Sequence, residues 1–349
     1  MILIRILLLI LILGIIILVH EFGHFFFAKL FNVHIYEFSI GMGPVLLSRT
    51  GKDGIKYNLR AFPIGGFVSM AGEVYEDDKK VDKERNLCNR PWLQRLIIMV
   101  AGVTNNFILA IVILFVIGTF FGGSITKPVI NDVVSGYPAY DSGLKKGDTI
   151  YQINGYHINN WDKAQIVLLF KDKDNVYEFK VKDKKGKKHT YKITPKVEKD
   201  KDGNKYNKFG IEVKNTPKYG LLNGIKYAFL KFASLYETMF LTIFGLFTRK
   251  ISINALSGPV GMYKVVGESL NYGFINIIYL TAFLSINVGF INILPFPAFD
   301  GGHVLFMIIE KIKGSPVNQK IENTIHTIGF FILLALMLYI TVLDIFRLF

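Results

Sequence analysis

Four stretches of this chain are long and apolar enough to cross a bilayer, which takes about 20 residues of helix. They are roughly Ile2–Val19, Leu96–Phe121, Phe274–Ile293 and Ile325–Ile345. Lipid offers no partner to a free backbone N–H or C=O, so each stretch reads as a helix. The first reads as a retained helix rather than a signal peptide. Arg5 precedes an apolar run, but no small-residue cleavage site follows before His20-Glu21-Phe22-Gly23-His24.

The 349 residues are 51% hydrophobic and 19% charged, an average that conceals two kinds of segment. Charge-free runs alternate with stretches crowded with Lys and Asp. That excludes a uniformly soluble enzyme, a disordered chain and a collagen-like fibre. The single cysteine, Cys88, rules out an intrachain disulfide and a cysteine-built metal site. The net charge of +14 first suggests nucleic acid, but the charges are poorly placed for it. Residues 124–217 hold 19 Lys against 12 acidic residues and no Arg, interspersed as on a solvated surface that faces lipid headgroups. The partners expected are therefore the lipid bilayer and membrane proteins, and no nucleic acid.

The segments between spans have their own patterns. Phe38–Arg49, Lys56–Ala61 and Gly65–Met70 alternate in polarity, with Asp53-Gly54 as a hairpin signal between the first two. Within 124–217, short β-type runs (Pro128–Val134, Thr149–Ile153, Val176–Val181, His189–Thr194, Phe209–Val213) flank one helix candidate, Trp161–Leu169. Lys184–Lys187 and Asp200–Gly203 read as hairpin tips. Leu221–Phe247 is apolar but interrupted by Lys226, Lys231 and Glu237, which favours an interfacial helix.

The fold class expected is a polytopic α-helical membrane protein of about four transmembrane helices, with a membrane-associated β-hairpin region and an inserted β-rich domain. Its divisions are a first membrane helix (1–25), a cytoplasmic-side loop with the hairpin (26–95) and a second membrane helix (96–122). An extracytoplasmic β-rich domain (123–216) and an interfacial helical linker (217–272) follow. A third membrane helix (273–310), a cytoplasmic loop (311–324) and a fourth membrane helix (325–347) complete the chain. Basic residues in Lys311–Lys320 and at the ends of Lys29–Arg95 place those loops in the cytoplasm. With four crossings the first and third spans run in the same direction, so their polar ends lie near the same face.

His20-Glu21-x-x-His24 sets two imidazoles one helical turn apart, able to grip one metal ion, with Glu21 beside water activated by it. The bland alternative is a polar helix end at the interface, but ionisable residues closing so apolar a helix are costly without a partner. Two histidines leave zinc short of the three protein ligands usual in catalytic sites. Asn292-Ile-Leu-Pro295-Phe-Pro297-Ala-Phe-Asp300-Gly301-Gly302 offers the third. Its prolines break the helix and its glycines let the chain turn, presenting Asp300. A kinked helix end whose Asp faces water is the competing reading; the matching depth of the two motifs favours a ligand.

These residues carry a resemblance. HEFGH and NILPFPAFDGG resemble the motifs of the site-2 proteases, the intramembrane zinc metalloproteases, and the likeness covers nearly the whole chain. Gly41–Met70 looks like the family's membrane-re-entrant β-hairpin, and Ala101–Phe107 is similar to its second-span motif, with Val103 where the family has Pro. Phe299 stands in place of the usual Leu before Asp300, and Leu256–Gly261 matches a segment before the third span. Tyr137-Pro138-Ala139 with Ser142–Gly155 resembles a PDZ domain, a single one, in the position typical of the bacterial regulator-of-sigma-E protease branch.

The resemblance implies Zn2+ held by His20, His24 and Asp300, with Glu21 as general base. The activity expected is that of an intramembrane zinc endopeptidase acting in regulated intramembrane proteolysis. Its substrates would be single-span membrane proteins such as anti-sigma factors or signal-peptide remnants, pre-trimmed by another protease. A peptide bond inside a helix is shielded, so a substrate must unwind. An edge strand at Gly65, Gly66 and Phe67 would hold it extended by strand addition, and the resemblance implies that Asn292 bonds its backbone. The location expected is a bacterial plasma membrane, with the active site towards the cytoplasm and the PDZ domain outside. His303 is a candidate outer-sphere donor, whereas His34, His157, His189 and His326 lack ligand spacing and read as ordinary. The competing function is a catalytically inactive metal-binding scaffold or a transporter. A transporter would show paired broken helices in two halves, and only the third span is broken.

Overall fold

The computed structural model describes residues 2–73, 78–170, 174–199, 205–253 and 256–346; the expected tip Asp200–Gly203 lies outside them. In chain order the elements are α1 (Ile2–Leu30), β1 (Ile35–Thr50), β2 (Lys56–Met70), α2 (Trp92–Val116), β3 (Ile130–Val133), α3 (Pro138–Asp141), β4 (Thr149–Ile153) and β5 (Tyr156–His157). Then come α4 (Trp161–Leu168), β6 (Tyr177–Lys182), β7 (Lys188–Ile193), β8 (Lys196–Lys199), β9 (Lys205–Lys208) and β10 (Ile211–Val213). The chain closes with α5 (Leu221–Phe247), α6 (Pro259–Asn271), α7 (Phe274–Ile293), α8 (Asp300–Lys313) and α9 (Gln319–Phe346).

Five of the described helices are long and apolar enough to cross a membrane: Ile2–Leu30, Trp92–Gly122, Leu221–Phe247, Phe274–Ile293 and Lys320–Phe346. The molecule is thus a helical membrane protein that also carries β-sheet. The fifth candidate is Leu221–Phe247, the helix that its charges assign to the interface. The chain forms two compact units, Met1–Ile111 with Gly258–Thr341 and Val112–Ser257 with Val342–Phe349.

In the first unit, α1 runs past residue 25 to Leu30, where a left-handed Asn32 (φ 55°) stops it. Val33 N–H bonds to Ala28 O and Asn32 N–H to Lys29 O, a Schellman closure that satisfies the last carbonyls. The HExxH residues therefore sit inside the helix, with a full turn beyond them. The two long strands fold into a sheet of four segments, in the order 66–70, 35–40, 56–59, 45–50. The first half of β1 pairs with both ends of β2, Ser39 lying opposite Phe67 on one side and Asn58 on the other. Residues 66–70 pair only with 35–40, so they form an edge. Phe25, Ala28, Ile35, Phe38, Val68 and Ile98 close a core between this sheet, the end of α1 and α2.

The third span is not one helix over 273–310. α7 ends at Ile293, and Leu294 ahead of Pro295 is extended (φ −62°, ψ 139°), as the pre-proline clash requires. Residues 294–299 form a turn with Ala298 left-handed (φ 77°), and α8 starts at Asp300. Trp92 Nε1–H donates to Met307 O at 2.8 Å, and Arg95 pairs with Glu310 at 2.5 Å, fixing α8 to the start of α2.

In the second unit, β5-β4-β6-β7 form a sheet, β10 pairs with β3, and β8 with β9. The inward faces of these strands, with Ala164 and Val167 of α4, bury a core around Ile150, Ile153, Tyr177 and Phe179. The elements without a sequence signal are α3, β5, β8 and β9, all of two to four residues, too short for a periodicity. Two of the three charges of α5 face this domain: Lys231 lies 2.7 Å from Asp162 and Glu237 2.6 Å from Lys163, both on α4. Further along, Leu241 packs with Phe170 and Ile251.

Candidate metal centre and active site

α1 carries His20 and His24 on one face, and their Nε2 atoms lie 3.2 Å apart. The turn after α7 brings Asp300 to them, its Oδ2 at 3.2 Å from His20 Nε2 and 3.4 Å from His24 Nε2. Ligands about 2.0–2.1 Å from a tetrahedral zinc ion stand about 3.3 Å from one another. All three separations match that value. Asp300 Oδ2 is buried without a hydrogen-bond partner, so the donors point into a space that a cation fills. Two imidazoles and one carboxylate suit zinc and leave its fourth position open.

The outer contacts select which ring nitrogen faces that space. His24 Nδ1–H donates to Ile98 O at 2.8 Å, leaving Nε2 as the free lone pair. Asn106 is fully buried, its side-chain amide 3.4 Å from His20 Nδ1 and its Oδ1 otherwise without a partner. Presenting Oδ1 to His20 Nδ1–H satisfies both groups and frees Nε2, the arrangement typical of metal-binding histidines. The helices approach closely because two glycines permit it. A Cβ on Gly102 would stand 2.4 Å from His24 Nε2, and one on Gly23 would stand 2.5 Å from Ala101 O.

Glu21 shares with the three donors a cavity of about 210 Å³ that Phe67 and Met70 of the edge strand also line. Gly66 abuts this carboxylate: a Cβ there would lie 3.5 Å from Glu21 Cγ and 2.9 Å from Ser39 O. Gly65 is left-handed (φ 91°) and is not among the cavity-lining residues. His20, Glu21, His24, Asp300, Gly66 and Phe67 are thus brought together. Asn292 is not among the cavity-lining residues; its Nδ2 donates to Val288 O within α7 at 3.0 Å.

Sequence reasoning missed Glu73 and Arg95, which line the same cavity. Surrounding protein pushes the Glu73 carboxyl up, only partly offset by the Met70 N–H that it accepts. His303, a cavity residue, and His326, read as ordinary, lie with Glu322 in a second cluster whose ligand-type atoms are all within 4.8 Å. No spacing in the chain signals that cluster.

The sequence profile of Peptidase family M50 matches residues 8–336, which include every donor of the centre. This chain belongs to peptidase family M50, the site-2 protease family. Its relatives in that family match end to end. A provisionally named zinc metalloprotease of Clostridium acetobutylicum is 35% identical over 95% of this chain and 94% of its own. Another, from Fusobacterium nucleatum, is 36% identical over 97% of both chains. Zinc metalloprotease RasP of Bacillus licheniformis is 30% identical over 97% of this chain and 98% of its own. As an M50 peptidase the chain is an enzyme, and its His-His-Asp donor set has the composition and spacing of a zinc centre.

Proposed function

We propose that this M50 peptidase is a zinc-dependent intramembrane endopeptidase that cuts within transmembrane segments of single-span membrane proteins. The observation that carries the reading is the triangle of donors at 3.2–3.4 Å, set inside an apolar helix and beside an edge strand. His20, His24 and Asp300 hold the ion. Bound zinc supplies Lewis acidity, polarising the scissile carbonyl and acidifying water. Glu21 accepts the proton from attacking water and returns it to the departing amine. The free edge at residues 66–70 takes an unwound substrate as an added strand, which satisfies backbone groups that lipid would leave bare. The edge runs past Glu21, so an added strand passes the base. Asn292 keeps an N–H and its Oδ1 beyond the bond to Val288 O and is read as bonding the backbone of an unwound substrate.

The substrates fitting this site are pre-trimmed remnants: anti-sigma factors, signal-peptide remnants or similar precursors. The β-rich unit is read as one PDZ domain outside the membrane, filtering by size. Removing residues 126–215 then admits untrimmed substrate, and unchanged selectivity would count against the filter.

The membrane is read as a bacterial plasma membrane, with the centre towards the cytoplasm. α1 and α7 run alongside in the same sense. Arg5 lies against Gly267 just before α7, Ile12 and Ile16 pack with Ile277, Leu280 and Leu284, and His20 and His24 then meet Asp300 after α7. Parallel α1 and α7 need an odd number of crossings between them, which α2 alone supplies. α5, whose residues 231–245 lie along the β-rich domain, is therefore interfacial.

The test is zinc content and cleavage of a model single-span substrate by protein in detergent. Glu21→Gln should keep zinc and lose cleavage, whereas Asp300→Ala should lose both. Wild type that holds zinc yet cuts neither full-length nor pre-trimmed substrate would point to a metal-binding scaffold.

A further inference from the structure

The turn that presents Asp300 is held from behind by one face of α9. Near the start of that helix the buried residues are Glu322 and Gly329, with half-buried His326 between them, at i, i+4 and i+7. Their neighbours in the helix are largely exposed. Ala298 N–H donates to His326 Nδ1 at 3.0 Å, and Ala298 is the left-handed residue two positions before Asp300. A non-glycine residue with positive φ persists only where its surroundings over-determine it. Gly329 seats the preceding residue: a Cβ there would stand 2.4 Å from Pro297 Cβ and 2.9 Å from Pro297 O.

His326 is itself held. Its ring stacks on that of His303 in α8, with centroids 4.0 Å apart and planes at 18°. His303 Nδ1 lies 3.4 Å from Glu322 Oε1, a carboxylate only 3% exposed. His326 Nε2 and Glu322 Oε1 are both buried without a hydrogen-bond partner. Because Nδ1 receives the Ala298 N–H, neutral His326 carries its proton on Nε2. The Glu322 carboxylate belongs to the same cluster, whose ligand-type atoms all lie within 4.8 Å of one another. Glu322 thus holds His303, whose ring stacks on the imidazole that grips the turn.

The same cluster has the composition of a second His-His-Glu metal site, and two features argue against that reading. Nδ1 of His326 already accepts an N–H, so Nε2 has no lone pair to give. Stacked, near-parallel rings also cannot aim their in-plane lone pairs at one ion between them.

We propose that His326, backed by Glu322, is a positioning residue that locks the Ala298 turn and so holds Asp300 in reach of the metal. The inference rests on Asp300 being a zinc ligand. With the turn released, the third donor is no longer pre-placed and zinc binds more weakly although every donor remains. Outer partners of metal ligands carry about 10–100-fold in affinity, and His326 acts at the same remove.

The experiment is competition of purified full-length protein in detergent against a fluorescent zinc chelator, alongside zinc stoichiometry. His326→Ala should bind zinc roughly 10–100-fold more weakly. His326→Asn should stay within about threefold of wild type, because Asn Oδ1 occupies the position of Nδ1 as an acceptor, whereas His326→Gln should not rescue. Gly329→Ala, which leaves all polar groups in place and drives a methyl into Pro297, should weaken zinc by a similar factor. It serves if His326→Ala does not fold. Wild-type zinc affinity in Gly329→Ala and in whichever of His326→Ala and His326→Gln folds overturns the proposal. So do failure of His326→Asn to rescue, and two zinc ions in wild type with one lost on removing His326. Unchanged zinc affinity in Asp300→Ala would instead overturn the reading of the centre itself.

Discussion

Nδ1 of His24 lies 2.8 Å from the carbonyl oxygen of Ile98, one turn before Gly102 on α2. The backbone of the second membrane helix thus supplies two things. It provides an acceptor that fixes the tautomer of one imidazole of the candidate centre, and a gap in which both rings fit.

That gap makes Gly102 a sensitive position. A methyl at Gly102 would sit 2.4 Å from His24 Nε2, and the neighbouring atoms belong to His20. Gly102→Ala should therefore reduce bound zinc at least roughly tenfold, because the methyl overlaps both imidazoles and must displace their nitrogens. Zinc per chain measured by elemental analysis on monodisperse protein decides it.

Asn106 should separate acceptor chemistry from packing. Asn106→Leu removes the partner of His20 Nδ1–H and should weaken zinc about 10–100-fold. Asn106→Asp keeps an acceptor of the same size and should lose far less. Equal losses in the two variants would mean that Asn106 serves packing alone.

Legibility of the site in the sequence follows a simple physical line. His20, Glu21 and His24 were readable because a helix converts a spacing of four residues into one face. Asp300 was readable because two prolines and two glycines announce a broken helix. The same prolines made a single third helix over 273–310 untenable, and the chain restarts at Asp300 once the pre-proline residue is forced extended. Ile98 and Gly102 were unreadable, since a carbonyl and a missing side chain gain meaning only from the helix packed against them. His326 was unreadable for a related reason: its partner is the backbone of Ala298, which no residue type marks. The strands of the β-rich unit showed by alternation, while β8 and β9 were too short to alternate.

The placement of α5 can be checked by labelling. Leu222 and Phe247 are exposed at its two ends. Single cysteines at those positions, in a Cys88→Ser background, should both react with an impermeant maleimide added from the same side of the membrane. Labelling from opposite sides would make α5 a span and the parity argument wrong.

The β8–β9 hairpin should loosen in acid. Glu198 accepts from Lys208 and from Tyr137, each at 2.9 Å, and the lysine and then the phenol hold its carboxyl below the usual value. A depressed carboxylate contributes stability above its unfolded pKa, near 4.3, and loses it as pH falls through the lower native value. Lys208 is shifted upwards by Tyr137 and Glu198, so its contribution holds below the ordinary lysine range and fades only above it. Protection of the Tyr206 and Asn207 amides, taken relative to the intrinsic exchange rate, should fall below about pH 4 in wild type. It should lose that dependence in Glu198→Gln.

The three residues of the candidate metal centre are made at widely separated times. His20 and His24 leave the ribosome well before Asp300, and the face of α9 that grips its turn comes later still. A nascent chain with only its first two spans inserted presents two histidines and a glutamate but no complete zinc site. A complete donor set therefore exists only after α8 and the face of α9 behind it have been made, so a chain halted earlier has no finished centre.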